Sequence, residues 1–276
     1  MRIDAHQHVW QVARGDYGWL IPSLTEIYRD FTIDDLRPHL VRAGITATVL
    51  VQAAPTEAET RFMLDVARES GGLVRAVVGW VDMLAPDAPE RIAALAADGL
   101  LRGLRPMLQD IADTDWILDR RIDPAWRTMR ELGLRFDALV RPRHLPNLRR
   151  LLDRHPDMPV VVDHGAKPEI AKAVREPWAR DLAAVAHDSK AVCKISGLVT
   201  ESGPGWRVDD LKPYVDHLLD CFGPSRLMWG SDWPVVNRAG GYDRWRDAAD
   251  ILLAGLSPGD RARIAGLTAA EFYGID

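Results

Sequence analysis

Short apolar runs alternate with stretches of helical period along the whole chain. The first run, Arg2-Ile-Asp-Ala-His-Gln-His-Val-Trp10, reads as a strand. Ile45–Val51, Leu73–Val81, Leu101–Arg105, Leu134–Val140, Pro159–His164, Ala191–Ser196 and Arg226–Ser231 bring the series to eight. Between them the pattern predicts helices over Thr32–Gly44, Glu57–Ser70, Pro89–Ala97, Asp123–Leu132, Leu145–Arg154, Trp178–Ala186 and Leu211–Cys221. Tyr242–Leu253 and Ser257–Ala265 finish the chain as helices. Thr32 is placed to cap the first helix and Gly44 to stop it, while Pro38 predicts a break near its middle. Residues 11–30 show no period and read as a long loop carrying Tyr17 and Trp19, of a length that is usually functional or disordered.

Strands apolar on both faces are what parallel strands covered by helices look like. Eight such units in 276 residues favour an α/β fold, one (β/α)8 TIM barrel domain over 1–276, above an open doubly wound sheet. No Gly-x-Gly-x-x-Gly follows the first strand, which lowers the dinucleotide alternative. No linker-like tract, low-complexity run or internal repeat marks a second domain.

The hydrophobic fraction of 47% is that of a globular protein with a sizeable core. A formal charge of −5, with both signs interleaved, argues against a basic nucleic-acid-binding face. The chain opens on a strand instead of a leader-like segment, and no apolar run approaches bilayer-spanning length. Cys193 and Cys221 are too few for a disulfide framework and read as reduced core residues. The expectation is a soluble cytoplasmic protein with no nucleic-acid or membrane partner. The sequence carries no signal for oligomeric state.

In a barrel of this kind the reactive groups sit at the C-terminal ends of the strands. Side chains at i and i+2 of a strand share a side, so His6 and His8 present two imidazoles to one point. A solvated surface pair is the bland explanation of a lone His-x-His. What the other strand ends offer changes the weighing. Gln52, Trp80 or Asp82, Arg105, Asp137 or Arg141, His164, Lys194 or Ser196, and Asp232 complete the ring. Taken singly, His164 reads as a hydrogen-bonded core histidine and Asp232 as a loop cap. Three histidines and a carboxylate at the ends of strands one, six and eight point to a site.

His-x-His on strand one, His on strand six and Asp on strand eight resemble the amidohydrolase superfamily over the whole length. Asp163-His-Gly-Ala-Lys-Pro168, Cys193-Lys-Ile-Ser-Gly-Leu-Val-Thr-Glu201 and Met228-Trp-Gly-Ser-Asp-Trp-Pro234 are similar to its sugar-lactonase branch. That branch includes L-fuconolactonase, L-rhamnonolactonase and pyrone dicarboxylate lactonase. Ala5-His-Gln-His8 and Val51-Gln-Ala53 match segments that recur there. The chain departs from binuclear members: strand four ends in Arg105-Pro106, and strand five reads Phe136-Asp-Ala-Leu-Val140 with no histidine. The resemblance therefore implies one divalent metal ion at most, zinc by donor type, held by His6, His8, His164 and Asp232, or a metal-independent site.

A lactone is a cyclic ester, so its hydrolysis needs an activated water, stabilisation of the oxyanion and a proton for the leaving alkoxide. Asp232 is the expected general base, with His6, His8 and His164, or an ion they hold, polarising the carbonyl of a small-molecule sugar lactone. Gln52, Trp80, Arg105, Lys194 and Trp233 are the candidate substrate-binding residues, with Trp10 and Trp19 as further aromatic faces. Each has a plain alternative as a salt-bridge or packing residue. Lys167 reads as a rim residue, and Asp137 as a weak substitute ligand. Two rival functions keep the barrel: a metal-dependent decarboxylase of small aromatic acids, and a non-catalytic barrel that binds a sugar acid.

Overall fold

Eight strands pair in parallel, in chain order: β1 (Ile3–Gln7), β2 (Ala47–Val51), β3 (Val74–Gly79), β4 (Leu101–Leu104), β5 (Arg135–Ala138), β6 (Val160–Val162), β7 (Val192–Ile195) and β8 (Leu227–Trp229). The computed structural model describes residues 1–276. The ring closes between β8 and β1 through a bridge of Gln7 and Trp233, with Asp232 N–H donating to His6 O at 2.8 Å and His8 N–H donating to Trp233 O at 2.7 Å. The closing seam is therefore built from the segments that carry His6, His8 and Asp232. Eight parallel strands with intervening helices form the expected (β/α)8 barrel.

Helices α1 (Ile33–Ala43), α2 (Glu57–Glu69), α3 (Ala88–Ala96), α4 (Asp123–Glu131), α5 (Leu145–Arg154), α6 (Trp178–Asp188), α7 (Leu198–Ser202), α8 (Val208–Phe222) and α9 (Tyr242–Leu252) surround it, followed by α10 (Pro258–Ala262) and α11 (Thr268–Tyr273). Thr32 caps α1 as expected, through a capping box with Asp35. The break expected at Pro38 does not occur. Pro38 is exposed, on a face where water can take over the carbonyl its ring leaves unbonded. Helices α7 and α11 were not legible, because five and six residues are too short to establish a period.

Inside the ring, alternate strand residues meet: Ile3 and Ala5, Ala47, Val49 and Val51, Ala76 and Val78, Val161, Val192 and Met228. Ala269, Tyr273 and Ile275 pack into the same cluster, so the chain's C-terminal segment plugs the barrel floor. Arg135 at the start of β5 donates from Nε to the Phe272 carbonyl at 2.5 Å and anchors the plug. The larger apolar layer lies outside the ring, between strands and helices.

The 11–30 loop is ordered by its aromatics. Trp10 Nε1 donates to Arg29 O at 2.8 Å, and Trp19 Nε1 donates to Ala53 O at 2.7 Å. The loop thereby folds over the C-terminal end of β2.

Candidate active site

On β1 the inward positions run Ile3, Ala5 and then His6, which strict alternation forbids. The β1–β2 register breaks between Asp4 and Gln7, and the irregularity re-aims the strand. Asp4 holds it: Oδ1 accepts from His6 N–H at 3.2 Å and from Ser231 N–H at 2.9 Å. Gln7 then turns outward to donate to Thr48 Oγ1 at 3.2 Å, and His8 turns inward.

His8 is fixed from both ends. Its Nδ1 donates to the Val51 carbonyl at 2.7 Å, which leaves Nε2 3.3 Å from Asp232 Oδ1. His6 Nε2 lies 3.9 Å from the same oxygen. The His164 ring sits 4.4 Å from that of His6, with Nδ1 2.8 Å from Ser196 Oγ. His164 and Asp232 both occupy the left-handed backbone region, with φ of 54° and 58°. Side chains there are strained, although Asp and His tolerate it better than most. Two glycines make room for the rings. A Cβ on Gly197 would stand 2.5 Å from His164 Nδ1, and one on Gly230 2.6 Å from His6 Cβ.

A buried ionic layer lies beneath. Arg105 donates from Nη1 to Asp163 Oδ2 at 3.2 Å and from Nη2 to Gln52 Oε1 at 3.1 Å, and Gln52 Nε2 donates back to Arg105 O at 2.9 Å. Lys194 donates to Asp137 Oδ2 at 2.6 Å, reaches Asp163 Oδ1 at 3.1 Å, and stands 3.2 Å from His6 Nδ1. Burial opposes ionisation of Asp232, yet His164, the hydrogen bond from His8, and His6 together hold its carboxyl well below the usual range. Burial pushes His164 down to about 4, against the pull of Asp232 and Asp163. Burial and then the Lys194 charge keep His6 neutral far below its ordinary value. The site therefore presents an ionised Asp232 beside neutral His6 and His164 rings.

A cavity of about 260 Å³ opens on this cluster, with His8, His164, Asp232, Arg105, Trp19 and Leu139 in its wall. Of the residues expected from sequence, the structure brings His6, His8, His164 and Asp232 together as a unit, with His6 just under the wall. Arg105 reaches the cavity. Gln52 and Lys194 do not: both are fully buried, Gln52 orienting Arg105 and Lys194 sealed on the barrel axis. Trp233 is buried edge-on against Phe31, and Trp80 lies outside the cavity, bonded through its backbone to Thr60. Of the other aromatics, Trp10 is core and Trp19 lines the wall. Lys167 lines it too, 3.6 Å from Glu201. Arg141, one of the two residues expected at the end of strand five, also lines the cavity, and so do Met107 and Glu201, which the sequence does not single out. Met107 sits in a loop and Glu201 in the five-residue α7, neither long enough in period to aim a side chain.

The ligand atoms of His6, His8 and Asp232 lie within 4.8 Å of one another, as do those of His6, Asp163 and His164. With Nδ1 donating to Val51, a singly protonated His8 would turn a lone pair toward Asp232, an arrangement that suits a cation between them. This donor set fits one divalent ion. Asp137 belongs to neither group, its Oδ2 being shared by Lys194 and Tyr273.

Comparison with known proteins gives a consistent picture. A model of the amidohydrolase family matches residues 3–275. An L-fucono-1,5-lactonase of Burkholderia ambifaria is 48% identical over 282 residues, covering 100% of this chain and 96% of that one. An L-fucono-1,5-lactonase of Burkholderia multivorans is 37% identical, again over 100% of this chain and 96% of the relative. A crystal structure of an amidohydrolase from Burkholderia multivorans with bound zinc superposes with a TM-score of 0.93 at 35% identity, over 100% of both chains.

Proposed function

The chain belongs to the amidohydrolase family, and on that membership and the geometry of its cavity we propose that it hydrolyses a sugar-acid lactone of the L-fuconolactone or L-rhamnonolactone type. The observation that carries the reading is the Asp232 carboxyl group facing His8 at 3.3 Å in the wall of a cavity, in a chain 48% identical to an L-fucono-1,5-lactonase.

The lactone carbonyl sits over the His8, His164 and Asp232 wall. Asp232 takes a proton from water as the water oxygen bonds to the carbonyl carbon. Charge that develops on the carbonyl oxygen is met by the Arg105 guanidinium and, with Nδ1 accepting from Ser196 Oγ, by the Nε2–H of His164. When the tetrahedral carbon collapses, the bond to the ring oxygen breaks and Asp232 returns its proton to that oxygen. The product is an open hydroxy acid, which ionises and releases a proton to the medium. Trp19, pinned over Ala53, offers an aromatic face to the C–H side of the ring.

His6, His8 and Asp232, with His164 beside them, would hold a zinc ion, which when bound supplies a Lewis acid for the carbonyl. Without an ion, a hydrogen bond between His8 and Asp232 needs a second proton on the His8 ring, because the Nδ1 proton is already given to Val51. Free Cys193 and Cys221 support a cytoplasmic setting.

A pH-indicator assay over five- and six-membered lactones of deoxy sugars tests the reading. Acid release well above the spontaneous rate is expected. Carbon dioxide from small aromatic acids, with no acid from any lactone, would favour the decarboxylase; calorimetric binding of a sugar acid without turnover would favour the binding-only barrel.

A further inference from the structure

The interior of a (β/α)8 barrel is ordinarily filled by branched apolar side chains. Here Lys194, Asp137 and Asp163 are wholly buried in it. Sealing such charges costs desolvation that apolar residues of similar volume would avoid. Their connections show what they act on. The Lys194 ammonium donates to Asp137, pairs in charge with Asp163 and stands against His6 Nδ1. Asp137 Oδ2 is also the acceptor for Tyr273 O–H at 2.7 Å, and the Lys194 ammonium stands 5.5 Å from the Tyr273 ring centre. Tyr273 belongs to the C-terminal plug, and His6 to the site at the opposite mouth.

We propose that Lys194 and Tyr273 are positioning residues, and that the chain Tyr273–Asp137–Lys194–His6 couples the seating of the C-terminal segment to the orientation of the His6 imidazole. Neither residue reaches the cavity, and His6 itself lies beneath its wall. The coupling therefore acts on the chemical step and leaves substrate binding alone. The kinetic arm rests on the lactonase reading; the spectroscopic arm does not.

The test uses the full-length, metal-free protein with 15N-labelled histidine, His6 being assigned by its absence in His6→Asn. Tyr273→Phe removes one hydroxyl and keeps the ring. Lys194→Met strips the charge, and Lys194→Met with Asp137→Asn removes both members of the pair, so that a foldable variant remains if the single one fails. Tyr273→Phe is expected to move the His6 ring resonances while leaving those of the surface residue His187 unchanged. It should lower kcat by roughly 2–30-fold with KM held within about twofold. A Lys194 variant that folds should move the same resonances further. His6 resonances that stay put in Tyr273→Phe overturn the proposal, whatever the Lys194 variants do. If the resonances move while no lactone is turned over, the coupling stands and the lactonase reading falls.

Discussion

The backbone N–H of Asp232 donates to the carbonyl of His6 at 2.8 Å, so the bond that closes the barrel also joins the two segments bearing the candidate catalytic side chains. Asp4 reinforces the joint from outside by accepting from His6 and Ser231. Placement of the imidazoles against the carboxylate is thereby a consequence of ring closure, held by main chain on rigid elements.

Close packing around the rings makes glycine substitutions informative. Gly197 has φ of 61° and no room for a Cβ beside His164. Gly197→Ala should cost about 1–3 kcal/mol in stability from strain, and kcat should fall by about 10²-fold as His164 is displaced. Gly133, with φ of 66° and nothing within 4 Å of its Cβ position, is the control. Gly133→Ala should lower stability and leave kcat intact. Equal kcat in the two variants, each measured with its thermal midpoint, would contradict the packing argument.

Glu59 supports the β2 end from behind: its carboxylate accepts from Ala53 N–H at 3.0 Å and Ala54 N–H at 2.7 Å. Burial raises its pKa from 4.5 to about 7, against the opposing backbone hydrogen bonds. The folded state binds this proton more tightly than the unfolded chain, so the group's contribution to stability falls as pH rises from 4.5 to about 7. Glu59→Gln lacks that loss. Its stability relative to the parent should improve between pH values below and above this window, by up to about 3 kcal/mol. Urea midpoints at both ends of the window decide it, and a deficit that grows with pH contradicts it.

Metal stoichiometry offers another check. Chelated protein titrated with zinc should take up no more than one ion per chain. His8→Ala should weaken that uptake by at least about tenfold, since a lost ligand costs no less than a lost outer-shell partner. Two ions per chain by elemental analysis, or unchanged affinity in His8→Ala, would contradict the donor set.

Strand period and the spacing of four residues made the barrel and the core of the site legible. Other features depend on distances that one-dimensional pattern does not carry. Period two says that His6 and His8 share a side, but parity with Ile3 and Ala5 would send His6 outward. Only the irregularity held by Asp4 turns it in. Lys194 was placed among substrate-binding residues because it nears a strand end. Its depth below the cavity is set by register with β6 and β8, and its partner Asp137 lies on a strand two positions around the ring. Tyr273 was unreadable for a related reason: a six-residue helix shows no face until the barrel floor selects one. Trp80 and Trp233 lie outside the cavity wall, since a tryptophan at a strand end serves packing as readily as recognition.

In the proposed reaction the Asp232 carboxylate drives lactone opening. Asparagine accepts the left-handed backbone that Asp232 adopts at φ of 58°, so Asp232→Asn should fold normally. The deciding measurement is the rate of acid release from L-fucono-1,5-lactone, corrected for spontaneous hydrolysis, by parent and Asp232→Asn side by side. A kcat lower by about 10²–10⁴-fold is expected in the variant, with its melting curve preserved. A folded Asp232→Asn that turns over the lactone at close to the parent rate contradicts it.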